Sequence, residues 1–164
     1  RGMPRDELKS RLRHAGRSFN AILEYAGRAG LLRETDGMIH LPAHAVVFSA
    51  EQQARIQQVL GEFQRQPYTP PPLPDVEKQL GAELLNACFE QKLLLKVSED
   101  IAFLPATYQA MLERILAHLR EHGSITVAQV RDLFGASRRY ALALTGYLDQ
   151  QGVTRRIGDE RVLR

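Results

Sequence analysis

Thr126-Val-Ala-Gln-Val-Arg-Asp-Leu-Phe-Gly-Ala-Ser-Arg-Arg-Tyr-Ala-Leu-Ala-Leu-Thr-Gly-Tyr-Leu-Asp-Gln-Gln-Gly-Val-Thr-Arg-Arg-Ile-Gly-Asp-Glu-Arg-Val-Leu163 holds three local signals in one short stretch. Thr126 is an N-cap residue and Gly135 a helix stop, so Thr126 to Phe134 reads as a short helix. Only Gly135 and Ala136 separate it from Ser137, a second cap. From there Tyr140, Leu142, Leu144 and Leu148 recur at helical spacing, and Gly152 can take the left-handed conformation that ends a helix. Val153 to Ile157 and Arg161 to Leu163 are β-prone runs, and Gly158-Asp159 between them is turn chemistry. A helix, a tight turn containing Gly and a second helix make a helix-turn-helix. The hairpin adds a wing, so the stretch reads as a winged helix.

Working outward, the layout recurs. Phe19 to Gly30 followed by Leu31 to Leu41, and Ala82 to Lys92 followed by Leu93 to Leu104, repeat the order of amphipathic helix, stop and short hairpin. Each has a shorter helix before it, Pro4 to Arg13 and Pro74 to Leu80, opened by a proline at an allowed first-turn position. Asp36-Gly37 serves as the turn of the first hairpin. Copies two and three also carry leading helices, Ser49 to Arg65 and Ala106 to His122. Copy one has none, as expected of the C-terminal piece of a longer protein cut inside or just before a repeat; an unusually placed first helix is the competing explanation. The expected fold class is mostly α with small β-hairpins (α+β), as tandem winged-helix units over residues 1–48, 49–105 and 106–164. Helix 106–122 runs directly from one wing into the next unit and predicts a fixed angle there. The junction Pro42 to Ser49 is shorter and irregular, and reads as the more mobile one.

The chain has 164 residues, of which 44% are hydrophobic, 25% charged and 7% aromatic. Those values fit an ordinary globular chain and exclude wholesale disorder. No apolar run is long enough to span a membrane. The first residues lack a signal peptide's apolar core, so a soluble, cytoplasmic protein is expected. Cys88 alone makes neither a disulfide framework nor a cysteine zinc module. Neither a phosphate-binding Gly-x-x-x-x-Gly-Lys-Ser/Thr loop nor a Gly-x-Gly-x-x-Gly turn is present, which disfavours a nucleotide-hydrolysing site.

Other motifs have plain structural readings. His118-Leu-Arg-Glu-His122 matches the His-x-x-Glu-His pattern of inverted zinc peptidases. Gly123 follows at once, however, so both histidines fall in a last helical turn, where cations are favourable anyway. Pro70-Pro-Pro-Leu-Pro74 has the form of a polyproline ligand, but it also fills a connection between two helices, where prolines stiffen a loop. Cys88 shares an apolar helix face with Leu84, Leu85 and Phe89 and reads as a small buried thiol. His14, His40 and His44 read as surface or satisfied residues. No arrangement of catalytic side chains stands out, and a non-catalytic chain without metal or cofactor is expected.

The charge distribution is the informative feature. Lys and Arg number 22 and Asp and Glu 19, for a net charge of +3. Residues 1–48 are net +3, residues 49–112 net −3, and residues 113–164 net +3 with nine bases, all arginine. Arginine is the preferred side chain for bidentate phosphate contact. Ser137, Arg138 and Arg139 begin the second helix of the last unit, where free N–H groups and the helix dipole favour an anion. Arg155 and Arg156 open the hairpin, Arg161 lies on its return strand, and Arg131 on the preceding helix. In the first unit the equivalent places offer Arg17, Ser18 and Arg33. In the second they offer Gly81-Ala82-Glu83 and an acidic wing, Glu99-Asp100. The last unit alone is dressed for nucleic acid, against the alternative of a solvated basic face. The competing readings are a winged-helix DNA-binding regulator and a protein-interaction scaffold. No heptad seam for dimerisation is seen, so a monomer is expected.

The stretch Arg131-Asp-Leu-Phe-Gly-Ala-Ser-Arg-Arg-Tyr-Ala141 and the ending Thr154-Arg-Arg-Ile-Gly-Asp159 resemble the C-terminal end of bacterial selenocysteine-specific elongation factors (SelB). Gly2-Met-Pro-Arg-Asp-Glu-Leu-Lys-Ser-Arg-Leu12 is similar to a segment of that family's second winged helix. The centre is similar mainly in layout and in Val97-Ser-Glu-Asp-Ile101. The resemblance implies a longer parent with an elongation-factor-Tu-like GTPase part that binds GTP with magnesium and carries selenocysteinyl-tRNA to the ribosome. Four winged helices would follow, the last recognising the selenocysteine insertion hairpin of the mRNA. This chain would then hold most of the second unit plus the third and fourth. Arg131, Ser137, Arg138, Arg139, Arg155, Arg156 and Arg161 match the family's basic RNA-binding surface. Beyond Tyr140 and Tyr147 the last unit offers few aromatics for a stacking platform, so a structured hairpin with an extruded base is the expected target.

Overall fold

Three helix ends carry the repeat into the backbone. Gly30, Lys92 and Gly152 all have positive φ, at 70°, 57° and 70°. At each, the following N–H reaches five residues back: Leu31 to the Ala26 carbonyl at 2.8 Å, Leu93 to Cys88 at 2.8 Å and Val153 to Leu148 at 3.0 Å. One left-handed residue thus satisfies helix-end carbonyls and turns the chain into the wing. The stops read from sequence fall where the helices end.

The computed structural model describes residues 2–12, 17–35, 37–40 and 48–164, except the side chains of Arg17 and Thr35. The chain divides into two compact units, Arg1–Val47 and Phe48–Arg164. His14, Asp36, His44 and residues 42–47 of the junction lie outside the described residues. So does the Arg17 side chain.

The first unit contains β1 (Met3–Pro4), α1 (Arg5–Leu12), α2 (Arg17–Arg28), β2 (Arg33–Thr35) and β3 (Met38–His40). Its sheet order is β1-β3-β2, all antiparallel. Phe19, Leu23 and Ile39 form a small core, with Leu8 and Leu32 packed against it. Arg5 ties helix to wing, bonding Glu34 at 2.7 Å and Asn20 at 3.0 Å.

The second unit begins with α3 (Ala50–Arg65), α4 (Leu73–Leu80), α5 (Ala82–Glu90), β4 (Leu95–Lys96) and β5 (Ala102–Phe103). It continues with α6 (Pro105–His122), β6 (Ile125–Thr126), α7 (Val127–Phe134), α8 (Arg138–Gln150), β7 (Thr154–Ile157) and β8 (Glu160–Leu163). Ser49 and Thr126 close capping boxes with Gln52 and Gln129, which explains the sharp starts of α3 and α7. Gly135, at φ 59°, ends α7 in the left-handed region as expected.

The strands β1 and β6 are too short for sequence periodicity to reveal. β6 pairs with β8 to give the order β6-β8-β7. The middle wing has two described strands, β4 and β5. The proline run accounts for the difference, because Pro70, Pro71 and Pro72 have no N–H to donate to a ladder. Leu73, the first residue after them with an N–H, bonds the Asp100 carbonyl at 2.9 Å. The prolines are thus a structural connection. Pro70 is buried, and its carbonyl accepts the Tyr140 hydroxyl at 2.5 Å.

Two cores meet at the middle wing. Ala102 belongs to the core of α3, α4 and α5, with Ile56, Phe63, Val76, Leu85 and Cys88. Phe103, the next residue, belongs to the core of α6, α7 and α8, with Met111, Ile115, Phe134, Leu144 and Leu148. Both are 0% exposed. Successive strand residues point to opposite faces, so β5 forms a wall between the cores. Tyr68, before the prolines, crosses to pack its ring, tilted by 43°, at 5.2 Å from that of Phe134. The continuity expected from helix 106–122 is therefore reinforced by a shared wing.

Lys92 adopts the conformation that Gly30 and Gly152 hold without strain. We expect Lys92→Gly to stabilise the second unit by about 1 kcal/mol and Gly152→Ala to destabilise it by about as much, both read by urea unfolding.

Candidate nucleic-acid interface

The turn Gly135-Ala136 sets α8 against α7, and the hairpin β7–β8 returns beside it. A groove of about 270 Å³ opens where they meet, lined by Thr126, Val127 and Ala128 at the start of α7, Arg138 and Leu142 on α8, and Arg156, Asp159 and Arg161 on the hairpin. Three guanidinium groups against one carboxylate, together with a helix N-terminus, make this concavity favour an anion. Leu142, 45% exposed, adds an apolar wall.

The predicted residues divide by what they touch. Arg138 and Arg155 are exposed and pair with no carboxylate among the described residues. Ser137 is at the N-cap of α8, but its hydroxyl makes no capping bond. The side chain expected to cap the helix leaves the first-turn N–H groups uncapped. Arg156 bends to the turn, its Nε donating to the Gly158 carbonyl at 2.7 Å, with Asp159 at 3.7 Å. Arg131 is exposed and pairs with its neighbour Asp132 at 2.7 Å.

Arg139 and Arg161 are placed differently. Arg139 turns away from the groove to an ion pair with Asp100 on the preceding wing segment. Arg161 is only 6% exposed, and its Nε meets Asp149 at 3.4 Å. Asp149 also accepts the buried Thr154 hydroxyl at 2.5 Å, so this network fastens the wing to the end of α8. The two hairpin arginines, adjacent in sequence, do not converge. Register pairs Arg156 with Arg161 and Arg155 with Val162, so Arg155 lies on the other face of the ribbon. Arg114, another of the nine late arginines, is committed to folding. It bonds the Leu133 carbonyl at 3.1 Å and lies 5.0 Å over the Phe134 ring.

His118 and His122 stack at 4.2 Å, and among the described residues no three His, Cys, Asp or Glu are grouped to hold a metal. Cys88 is buried, and burial pushes its thiol pKa up. Gly81, at φ 82°, starts α5 with no side-chain cap and Glu83 in the first turn, so the middle helix start offers an anion no cation. No helix among the described residues is long and apolar enough to cross a membrane. The carboxylates at Asp100 and Asp149 were not singled out as partners of the arginines; no local pattern joins residues 39 apart.

Asp149→Ala would leave the nearly buried Arg161 charge unpaired. A loss of about 3 kcal/mol is expected in urea unfolding, more than an exposed pair gives. Asp100 is held below the ordinary aspartate pKa, first by the Arg139 hydrogen bond and then by the Ser98 hydroxyl. A depressed carboxylate stabilises the fold above its unfolded pKa and loses that contribution as pH falls through the folded value. In Arg139→Ala, Asp100 should therefore titrate at higher pH, seen as a shifted carboxyl carbon resonance in NMR.

Two family models, each described as elongation factor SelB, winged helix, match residues 117–163 and 1–41. The chain is 31% identical over 82% of its length to the selenocysteine-specific elongation factor of Haemophilus influenzae, of which it spans 23%. It is 28% identical over 87% of its length to that of Escherichia coli, of which it spans 24%. The chain thus covers about a quarter of these curated relatives. Among solved structures, the mRNA-binding domain of E. coli SelB in complex with SECIS RNA superposes with a TM-score of 0.55 and 27% identity, covering 71% of this chain and 99% of that one. A bacterial selenocysteine-specific elongation factor EF-Sec shares the fold at a TM-score of 0.57, covering 99% of this chain and 26% of that one. Sequence and fold agree that this chain belongs to the winged-helix region of the SelB elongation-factor family.

Proposed function

We propose that this chain binds an mRNA hairpin of the selenocysteine-insertion type through its last winged helix. The observation that carries the reading is the groove that gathers Arg138, Arg156 and a helix N-terminus beside the uncapped start of α8. The similarity to a SelB domain in complex with SECIS RNA supports it. Arg138 and Arg156 meet backbone phosphates in the groove, and Ser137 donates beside them. Arg131 extends the contact along α7 and Arg155 reaches backbone from the other face of the ribbon, Arg161 lines the groove as an anchored charge, and Arg139 stays outside it. The groove, walled by Leu142, suits an extruded base.

One flank of α8 is covered. Tyr140 bonds Pro70, and Tyr147 packs edge-on against Tyr108 at 5.6 Å. A helix occupied on that side is poorly placed to lie along a DNA major groove, as a winged-helix regulator requires. A hairpin with a loop or bulged base asks for less depth. Residues 1–48, 49–105 and 106–164 are three winged-helix units in this reading, the last binding RNA and the earlier ones linking it to a parent GTPase. The chain itself is non-catalytic and monomeric and works in the cytoplasm. GTP with magnesium, selenocysteinyl-tRNA and the ribosome are partners of the whole protein.

A salt-dependent titration tests this. The ligands are a selenocysteine-insertion-type hairpin, the same hairpin with loop and bulge replaced, and a DNA duplex of equal length. Four arginine contacts predict a slope of about −3 to −4 in log K against log salt. Arg138→Ala with Arg156→Ala should take about 1.4–1.8 off the magnitude of that slope and weaken binding at least about tenfold, with unchanged circular dichroism. Equal affinity for all three ligands reduces the site to a basic patch, and no binding favours a protein-interaction scaffold.

A further inference from the structure

Arg138 and Arg139 look interchangeable in sequence, and both are exposed. Successive helical residues point about 100° apart, however. Arg138 enters the groove with Arg156. Arg139 faces back to Asp100, whose carboxylate also accepts the Ser98 hydroxyl at 3.0 Å. Tyr140, the next residue, bonds the Pro70 carbonyl at 2.5 Å and sets its ring 6.4 Å from Phe103. The first turn of α8 therefore has one side toward the groove and one clamped to the preceding wing.

We infer that Arg139 is a positioning residue and not an RNA contact: paired with Asp100, it sets the rotation of α8 and so the direction in which Arg138 and the open helix start are presented. This rests on the RNA-binding reading. An exposed ion pair alone contributes little, chiefly because two long side chains must be ordered. Here one partner is already ordered. Val97, Ile101 and Phe103 anchor the wing segment in the shared core, and the Asp100 carbonyl holds the Leu73 N–H at 2.9 Å. The pair also neutralises the flank of α8 next to the groove. A phosphate approaching Arg139 would meet the Asp100 carboxylate paired to it, whereas Arg138 pairs with no carboxylate among the described residues, and the one carboxylate lining its groove, Asp159, lies 3.7 Å from Arg156. Neighbouring arginines thus divide the work, one binding and one aiming.

The test uses the full chain and a fluorescent selenocysteine-insertion-type RNA hairpin, with the salt slope and thermal midpoint measured for each variant. Arg138→Gln should lower the slope magnitude by about 0.7–0.9, the loss of one phosphate contact. Arg139→Gln should leave the slope unchanged while weakening binding and lowering the midpoint by about 2 °C. The charge exchange, Asp100→Arg with Arg139→Asp, should restore both affinity and midpoint. If Arg139 touches RNA, the exchange puts a carboxylate against phosphate and binds worse than Arg139→Gln; that result, or a slope reduced by Arg139→Gln, overturns the inference. An exchange that does not recover the midpoint overturns the strut without reference to RNA. Absence of hairpin binding by the wild-type chain, with the midpoint coupling intact, instead overturns the RNA reading and leaves the strut purely structural.

Discussion

Residues 102 and 103 hold the second unit together. Ala102 enters one hydrophobic core and Phe103 the next, because adjacent strand residues point to opposite faces. Burying a phenylalanine side chain contributes about 2–3 kcal/mol, and here it does so in the core of a different set of helices from the one that precedes it in the chain. Moving one winged helix against the other would pull Phe103, Val97 and Ile101 out of their packing. The wing that would otherwise be an exposed hairpin is instead a partition between two cores.

The charged surface follows from that partition. With the wing fixed, Asp100 stands beside the first turn of α8, and Tyr140 finds the Pro70 carbonyl. The flank of α8 they occupy is covered, which leaves the side of Arg138 and the groove open. At the other end of α8, Asp149 ties Arg161 and Thr154 together and fixes the basic hairpin. Arginines of one sequence cluster thus have three fates: solvent-facing cation, helix clamp and wing anchor. Each fate is set by which carboxylate, if any, the fold brings within reach.

The three repeats show how one backbone plan is given different chemistry. All three use the same left-handed stop, and its hydrogen bonds depend on main-chain atoms alone. A lysine fills that position in the middle copy, at a cost in strain that the other two avoid. Side chains at the helix starts are free to diverge, since they are not needed for the stop. The middle copy accordingly spends its wing on packing and its carboxylate on Arg139, while the last copy presents cations.

Much of this was legible in the sequence because it is local. Thr126 with Gln129, Gly135, Gly152 and the apolar spacing of Leu144 and Leu148 act within a few residues, so they announce helix starts, stops and faces directly. The basic character of the last unit was legible for the same reason. The two-residue strands β1 and β6 were not, because a pair of residues carries no period. That Arg155 and Arg156 face opposite ways follows from strand alternation once the register is known. Which arginines meet solvent was decided only by tertiary structure: Asp100 and Arg139 lie 39 residues apart, and burial of Arg161 depends on how the wing closes on α8. Local sequence specifies the elements and their charges, but a side chain's partner is set by packing between elements distant in the chain.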